Sequence, residues 1–260
     1  MKNGKTELSD TDTLIGIQDI TEDNRMKPIL FNTAMVRAVQ EGRKTATRRI
    51  IKKMPPRTYR FEQIEDDKWE YFYGIAENDI VMDLYGEIRA PYKPGDILYV
   101  REAWNHGYIE SSDIPGSCET WFEESKIGCG GYIGTVSSFY YRANIDENEA
   151  NDIGMKWKPS IHMPKEAARI WLQVISVRPQ RLQDITDDQS EAEGISDEWA
   201  CEWWKPTYND PDSGGYPKYR EAFGELWNAT VKKAELGEYG WKANPWVWVI
   251  EFERCEKPEE

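Results

Sequence analysis

The sequence predicts an α+β fold built around a small curved sheet or barrel. Segments with the length and composition of strands outnumber helical segments in this chain of 260 residues. The helical segments interrupt the strands without the regular alternation that is typical of parallel α/β sheets. The chain also has no internal repeat. These observations favour one sheet with helical decoration.

The N-terminal part predicts a tail, a strand and a helix in that order. The first 25 residues are polar and lack periodicity, which predicts a flexible tail. An apolar run at residues 28–31 predicts a strand. Residues 32–41 predict a helix, because Asn32 or Thr33 can cap it and apolar residues recur along one side.

A polar turn follows that helix. Gly42 lies where a helix ends in a left-handed residue, and residues 43–49 carry one lysine, two threonines and three arginines. Residues 46–54 predict a strand that Pro55 and Pro56 end, since proline cannot donate to a ladder. Charged and hydroxyl side chains at such a corner are costly to bury and useful to expose. We therefore expect an exposed ligand site at this turn.

The rest of the chain predicts further strands and two helices. Residues 60–90 alternate aromatic and charged side chains, as antiparallel hairpins do. The other predicted elements are strands at 97–100, 139–142, 167–177 and 246–252, an acidic helix within 182–194 that Thr186 caps, and a helix at 219–231 with one apolar stripe. We expect the domain to span residues 26–255, with insertions near 60–90, 105–155 and 196–215.

Charge is unevenly distributed along the chain. The net charge is −14, which argues against broad, nonspecific attraction to nucleic acid. Residues 33–60 nevertheless carry nine Lys or Arg and one Glu, whereas residues 183–213 carry ten acids and one lysine. A basic region on an acidic body suits a small anionic or polar ligand or a short nucleic-acid segment. The alternative is a solvated basic face that pairs with the acidic segment.

Composition predicts a soluble cytoplasmic protein without metal, cofactor or disulfide framework. No apolar run approaches the length of a membrane span, and the N-terminus lacks a signal pattern. The four cysteines form no CxxC pair, and the only histidines are His106 and His162. A zinc site is therefore not expected.

Several ordered segments resemble the ASCH domains, which belong to the PUA-like β-barrel superfamily. The stretch 42–48 is similar to the GxKxxxxR motif of that family. The turn at 93–98 resembles the turn into the family's next barrel strand. The segment 182–194 resembles its acidic helix, and the strand at 246–252 resembles its closing strand. The segments 160–164 and 244–248 resemble the enlarged ASCH proteins of phages and prophages. The resemblance implies a PUA-like β-barrel with helices and insertions.

One small branch of this family is a bacterial amidohydrolase that acts on N(4)-acetylcytidine. Its proposed site is a lysine, a threonine three residues later, and a glutamate just before the Gly or Asn of the acidic helix. These positions fall on Lys44, Thr47 and Glu193 in this chain. The resemblance therefore implies an amidohydrolase acting on an N-acylated pyrimidine nucleoside.

Amide hydrolysis by this trio assigns one role to each residue. Lys44 is the base, Thr47 the nucleophile and Glu193 the acid that protonates the leaving nitrogen. A lysine serves as a base only if burial or a neighbouring cation lowers its pKa from about 10.4 toward neutrality. The arginines of the same turn supply such cations. The alternative is that Lys44 and Glu193 form an ion pair that only positions a ligand.

Two other functions remain open from the sequence. One is a noncatalytic reader of RNA or modified bases, with Arg43, Arg48 and Arg49 on phosphate. The other is a phage protein that binds a host protein through its acidic insertions. Bases could stack on Trp203 and Trp204. The residues that we expect to contact the ligand, besides the trio, are Arg43, Thr45, Arg48, Arg49, Tyr99, Arg101 and His162.

Overall fold

A computed structural model describes residues 26–55, 57–77, 80–110, 120–121, 135–152, 155–202 and 219–258. The predicted tail and the pair Trp203–Trp204 lie outside these residues, as does most of the insertion predicted near 196–215. Within the described part, no helix is both long and apolar enough to cross a bilayer.

The described residues form a mixed α+β structure. Its strands are β1 (Lys27–Leu30), β2 (Ala46–Ile50), β3 (Thr58–Gln63), β4 (Lys68–Glu77), β5 (Ile80–Arg89), β6 (Ile97–Arg101), β7 (Trp104–Glu110), β8 (Thr120–Trp121), β9 (Thr135–Tyr141), β10 (Trp171–Arg181) and β11 (Trp246–Cys255). Its α-helices are α1 (Thr33–Gln40), α2 (Glu147–Asp152), α3 (Asp187–Ala192), α4 (Asp197–Glu202), α5 (Tyr219–Thr230) and α6 (Leu236–Tyr239). The α+β class predicted from the sequence is therefore confirmed.

A central sheet contains the strands that the sequence predicted near 28–31, 46–54, 97–100, 167–177 and 246–252. Its order is β1-β6-β10-β11-β2. The strand β1 runs parallel to β6, and every other neighbouring pair is antiparallel. No sheet closes on itself among the described residues.

Two of these strands differ from their predicted bounds. The strand β2 ends at Ile50 rather than at 54, because the chain turns at residues 52–53 and Lys53 has a φ of 62°. The strand β10 starts at Trp171 rather than at 167, because Lys165–Ala167 forms a 3-10 turn. In both places a local turn ends a sequence pattern that would otherwise continue as a strand.

Two smaller sheets are added to the central one. The region predicted as hairpins forms an antiparallel sheet in the order β3-β4-β5. The other sheet has the order β8-β7-β9, and its strand β9 extends the short strand predicted at 139–142.

Successive residues of β11 face two different cores, because side chains alternate along a strand. Trp248 and Ile250 pack with residues of α1 and β4 on one face of the central sheet. Val247 and Val249 pack on the other face against α5, whose Phe223 and Trp227 are buried in the same cluster. We call these the α1 face and the α5 face.

Candidate functional site

The turn between α1 and β2 is held by backbone hydrogen bonds. The Asn32 side chain caps α1 by accepting from the Met35 amide at 2.8 Å. At the other end Gly42 has a φ of 79°, which favours glycine. The amides of Arg43 and Lys44 then both donate to the carbonyl of Ala38. Lys44 is therefore fixed at a tight corner just before β2 begins.

The end of α3 supplies the acidic residue of the site. Thr186 and Gln189 form a capping box at the start of this helix, and Glu193 follows its last turn. The Thr45 amide donates to the carbonyl of Ala192 at 2.8 Å. This bond ties the end of α3 to the chain beside Lys44.

Lys44 and Glu193 form a buried ion pair. Lys44 Nζ lies 2.7 Å from Glu193 Oε2, and the two side chains are 0% and 3% exposed. The same ammonium donates to the carbonyls of Glu193 at 2.9 Å and Ala46 at 2.7 Å. An ammonium has three N–H donors and no acceptor. In its charged form, Lys44 therefore has an acceptor for each of its three donors, namely the Glu193 carboxylate and the two carbonyls.

Arg48 is a second cation on the same carboxylate. Its Nη1 donates to Glu193 Oε1 at 3.1 Å, and its Nη2 donates to Gln189 Oε1 at 2.8 Å. The Arg48 side chain is 1% exposed and lies on the α5 face, where its guanidinium stacks over the Phe223 ring. Glu193 is thus held between Lys44 and Arg48.

Thr47 and Arg49 lie on the α1 face of β2, opposite to Arg48. Arg49 Nη1 donates to Thr47 Oγ1 at 3.1 Å, and Arg49 Nη2 donates to the carbonyl of Leu30 at 3.1 Å. Thr47 is 1% exposed. Among the described contacts, Thr47 has none with Lys44 or Glu193.

Burial dominates the electrostatics of the three cations. It lowers the pKa of Lys44, while the charge and hydrogen bond of Glu193 act in the opposite direction. Burial also lowers the pKa of Arg48 and of Arg49, again opposed by Glu193. Glu193 is the main group that opposes this lowering at each cation, with a smaller contribution from Glu251 at Arg48 and from Tyr92 at Arg49.

A cleft of about 360 Å³ lies next to this charged cluster. Phe31, Arg49, Tyr92 and Ser160 are among its lining residues. Lys44 Nζ lies 5.4 Å from the centroid of the Phe31 ring, which lines the cleft, whereas Lys44 does not line it. The cleft therefore combines aromatic faces with one guanidinium.

A second cavity of about 200 Å³ reaches Glu193 from the side of α1 and α5. Arg43, Trp199 and Leu226 line it, and it shares Asn32 and Met35 with the cleft. The two cavities are therefore adjacent at the N-terminus of α1.

The expectation that the polar turn is exposed was wrong for three of its residues. Lys44, Thr47 and Arg48 are 2%, 1% and 3% exposed. Their burial is tolerated because the hydrogen bonds described above satisfy most of their polar atoms. The Nε of Arg48 is the exception, since it is buried without a partner among the described residues.

The other residues expected to contact the ligand are scattered. Arg43 is exposed, pairs with Glu41 and donates to the carbonyl of Gly194. Thr45 is exposed beside it. Tyr99 packs on Trp171.

Arg101 and His162 also lie outside the charged cluster around Glu193. Arg101 donates through Nε to the carbonyl of Met163 at 2.7 Å, and His162 is exposed on a 3-10 turn. Of the seven residues expected to contact the ligand, only Arg48 and Arg49 have side chains bonded to the trio. The Arg48 side chain is 1% exposed and is bonded to Glu193, and Arg48 also lines a cavity of about 240 Å³.

Sequence reasoning missed Gln189, Phe31 and Tyr92. Gln189 could have been found as the fourth residue of the capping box that starts at Thr186. The positions of Phe31 and Tyr92 beside Arg49 depend on the packing of three separate segments, so no local signal indicates them.

Within the described part of the chain, no group of three or more His, Cys, Asp or Glu is arranged to hold a metal ion. No protein-family model matches the chain, and neither a curated protein nor a solved structure shows significant similarity to it.

Proposed function

We propose that this chain is an ASCH-type, PUA-like protein. It hydrolyses the amide of an N-acylated pyrimidine nucleoside such as N(4)-acetylcytidine. The observation that carries the proposal is the buried pair of Lys44 and Glu193 beside a cleft of about 360 Å³. Aromatic faces at Phe31 and Tyr92 suit a planar base, and Arg49 suits a carbonyl or phosphate oxygen.

The barrel is part of this proposal. The strands β1 and β2 are the two edges of the central sheet, yet Arg49 of β2 donates to the carbonyl of Leu30 in β1 at 3.1 Å. Edges that approach so closely indicate strong curvature of the sheet. This curvature supports a PUA-like barrel.

The ion pair supports acid–base chemistry. A hydrogen bond of 2.7 Å joins Lys44 Nζ and Glu193 Oε2, and burial disfavours the charged form of the lysine. Transfer of one proton along this bond gives a neutral amine and a protonated carboxyl. These are the base and the acid that amide hydrolysis requires.

The reaction then divides into balanced steps. Thr47 Oγ1 attacks the acyl carbon and its proton passes to the Lys44 amine. The C–N bond breaks and the carboxyl proton of Glu193 passes to the departing nitrogen, which leaves the acyl group on Thr47. Water hydrolyses that ester to a carboxylate and restores the hydroxyl. For the first step, the Lys44 amine must turn from its present acceptors toward Thr47.

The test is hydrolysis of N(4)-acetylcytidine, with released acetate and cytidine measured. Thr47→Val removes the hydroxyl at nearly constant volume and is expected to abolish release, whereas Thr47→Ser is expected to retain part of it. Thr45→Val is the matched control, because Thr45 is exposed and its described bonds are made by its backbone. Undiminished release by Thr47→Val contradicts the proposal.

A second candidate is a noncatalytic reader of a modified base or of RNA in the same cleft. The saturation of Lys44 Nζ by three acceptors favours it, because such an ammonium has no lone pair for a proton. Calorimetry with N(4)-acetylcytidine separates the two, since a reader binds the compound and releases no acetate. Binding of long RNA should weaken steeply with salt and should respond to Arg43→Ala plus Arg49→Ala.

A further inference from the structure

The cavity of about 240 Å³ that Arg48 lines is separate from the candidate site, because it shares no lining residue with the cleft or with the second cavity. One of its walls is a patch of the central sheet in which Arg48 lies opposite Val249 and Ala46 lies opposite Glu251. Ala192, at the end of α3, also lines it. The cavity therefore lies where α3 meets the β2-β11 pair.

Arg48 brings an unused N–H donor to this cavity. Its side chain is 1% exposed, and its two terminal nitrogens donate to Glu193, Gln180 and Gln189. Its Nε is buried and has no partner among the described residues. A buried donor without an acceptor is costly, so native structures rarely contain one without a reason. A ligand in the cavity that supplies an acceptor atom would satisfy this donor.

Gln189 provides a second donor beside the first. Its Oε1 accepts from Arg48 Nη2 at 2.8 Å and from the Thr186 amide at 3.4 Å. Its side-chain nitrogen donates to no residue in the described part of the chain, and Gln189 lines the same cavity. Two N–H donors on neighbouring side chains match the two acceptor oxygens of a carboxylate.

A charge of the opposite sign also lines this cavity. Glu251 Oε1 accepts from Arg178 at 2.6 Å, and Glu251 Oε2 accepts from Ser176 at 2.6 Å. Each carboxylate oxygen has a further lone pair, and the side chain is 41% exposed, so Glu251 can accept from a ligand as well. Among the described lining residues, Arg48 is the only cation and Glu251 the only anion. This pairing favours a ligand that carries both charges.

We propose that this cavity binds a free α-amino acid with a short aliphatic side chain. The carboxylate of the ligand accepts from Arg48 and Gln189, and its ammonium donates to Glu251. Its side chain covers Ile175, which lies at the β-bulge of β10 and is 50% exposed, and packs on Val249. At about 30 Å³ per water, the cavity has room for roughly eight waters, which suits a ligand of this size.

Isothermal titration calorimetry with three probes of similar size tests the need for both charges. L-leucine carries both charges, 4-methylpentanoate lacks the ammonium and 3-methylbutylamine lacks the carboxylate. We expect L-leucine to bind at least about tenfold more tightly than either of the others. Equal affinity for L-leucine and for one of the singly charged probes overturns the proposal, and so does the absence of L-leucine binding to the native protein.

Glu251→Gln tests the contact with the ammonium. It removes the negative charge and is expected to weaken L-leucine binding at least about tenfold without weakening the binding of 4-methylpentanoate. The matched control is Glu253→Gln, because Glu253 is exposed two positions further along β11 and does not line the cavity. Equal losses of L-leucine affinity in the two variants contradict the proposal.

Ala192→Leu tests the place of binding without removing a charge. The larger side chain fills part of the cavity and is expected to abolish L-leucine binding, whereas Ala229→Leu, at an exposed position of α5, is expected to leave it unchanged. Thermal melting establishes that both variants fold, and Glu251→Gln decides the question if Ala192→Leu does not. Undiminished binding of L-leucine by folded Ala192→Leu overturns the proposal.

Discussion

Lys44 Nζ lies 2.7 Å from Glu193 Oε2 although the two residues are 149 positions apart in the chain. Neither side chain is more than 3% exposed. The pair joins the turn after α1 to the end of α3, and through Arg48 it also joins both to β2. It is thus a structural link and the chemical centre of the candidate site.

Removing one member of this pair is expected to cost stability. Glu193→Gln leaves the buried cations Lys44 and Arg48 without their carboxylate, and such a change costs about 3–5 kcal/mol. The matched control is Lys52→Ala, because Lys52 is 58% exposed and pairs with Glu235 at 3.5 Å. An exposed pair of this kind contributes about 0–1 kcal/mol. Urea denaturation measures the free energy of unfolding of both variants. Similar losses of stability in the buried and the exposed pair would contradict a structural role for the Lys44–Glu193 pair.

Turnover by the proposed amidohydrolase is expected to fall as the pH rises through the lowered pKa of Lys44, because the pair then loses the one proton that Glu193 must give to the leaving nitrogen. Burial lowers this pKa below the ordinary value of 10.5, so the neutral amine is reached at lower pH than in a free lysine. Initial rates across the alkaline range give the midpoint. A rate that is flat in this range shows that turnover does not depend on this proton.

The lowered pKa of Lys44 also determines how the free energy of unfolding changes with pH. Between the lowered native pKa and the ordinary value of the unfolded chain, the unfolded state holds a proton that the native state has lost. The contribution of Lys44 to the free energy of unfolding therefore rises with pH across this window. We expect Lys44→Met to remove this rise, as shown by denaturation of both proteins at matched pH values. If the free energy of unfolding of Lys44→Met rises with pH as steeply as that of the native protein, the prediction is wrong.

Gly194 and Gly42 test the packing around Lys44 in a matched way. Both have a positive φ, of 99° and 79°. A Cβ on Gly194 would meet the Cβ of Ala38 at 2.8 Å and that of Lys44 at 3.4 Å, whereas one on Gly42 would meet nothing within 4 Å. Gly42→Ala is therefore expected to carry only the backbone cost of about 1 kcal/mol, and Gly194→Ala an additional ~1–3 kcal/mol from overpacking. The midpoints of urea denaturation measure this difference. Equal midpoints for the two variants would show that the surroundings of Gly194 are loosely packed.

The capping box of α3 is expected to contribute to the placement of Glu193. Thr186→Ala removes the acceptor for the Gln189 amide and should cost about 1 kcal/mol. Thr186→Ser keeps a hydroxyl and is expected to cost much less. Thermal melting compares them, and equal destabilisation by both variants argues that the methyl group of Thr186 matters rather than its hydroxyl.

The sequence by itself determined both ends of α1 and the start of α3. Asn32 begins α1, Gly42 ends it, and Thr186 begins α3, because caps and left-handed turns depend on residues within a few positions. The alternation in 246–252 likewise predicted a central strand. Local patterns of this kind also give the α+β class, since they depend on periodicity rather than on distant contacts.

Only the tertiary structure decided that the polar turn is buried and what its charges contact. The sequence shows Lys44, Arg48 and Arg49 as one basic run, but β2 sends Arg48 to the α5 face and Arg49 to the α1 face. Glu193, brought in by α3, compensates the charge that makes burial costly. A single carboxylate from a distant helix thus changes an expected exposed patch into a buried network, and no local pattern carries that information.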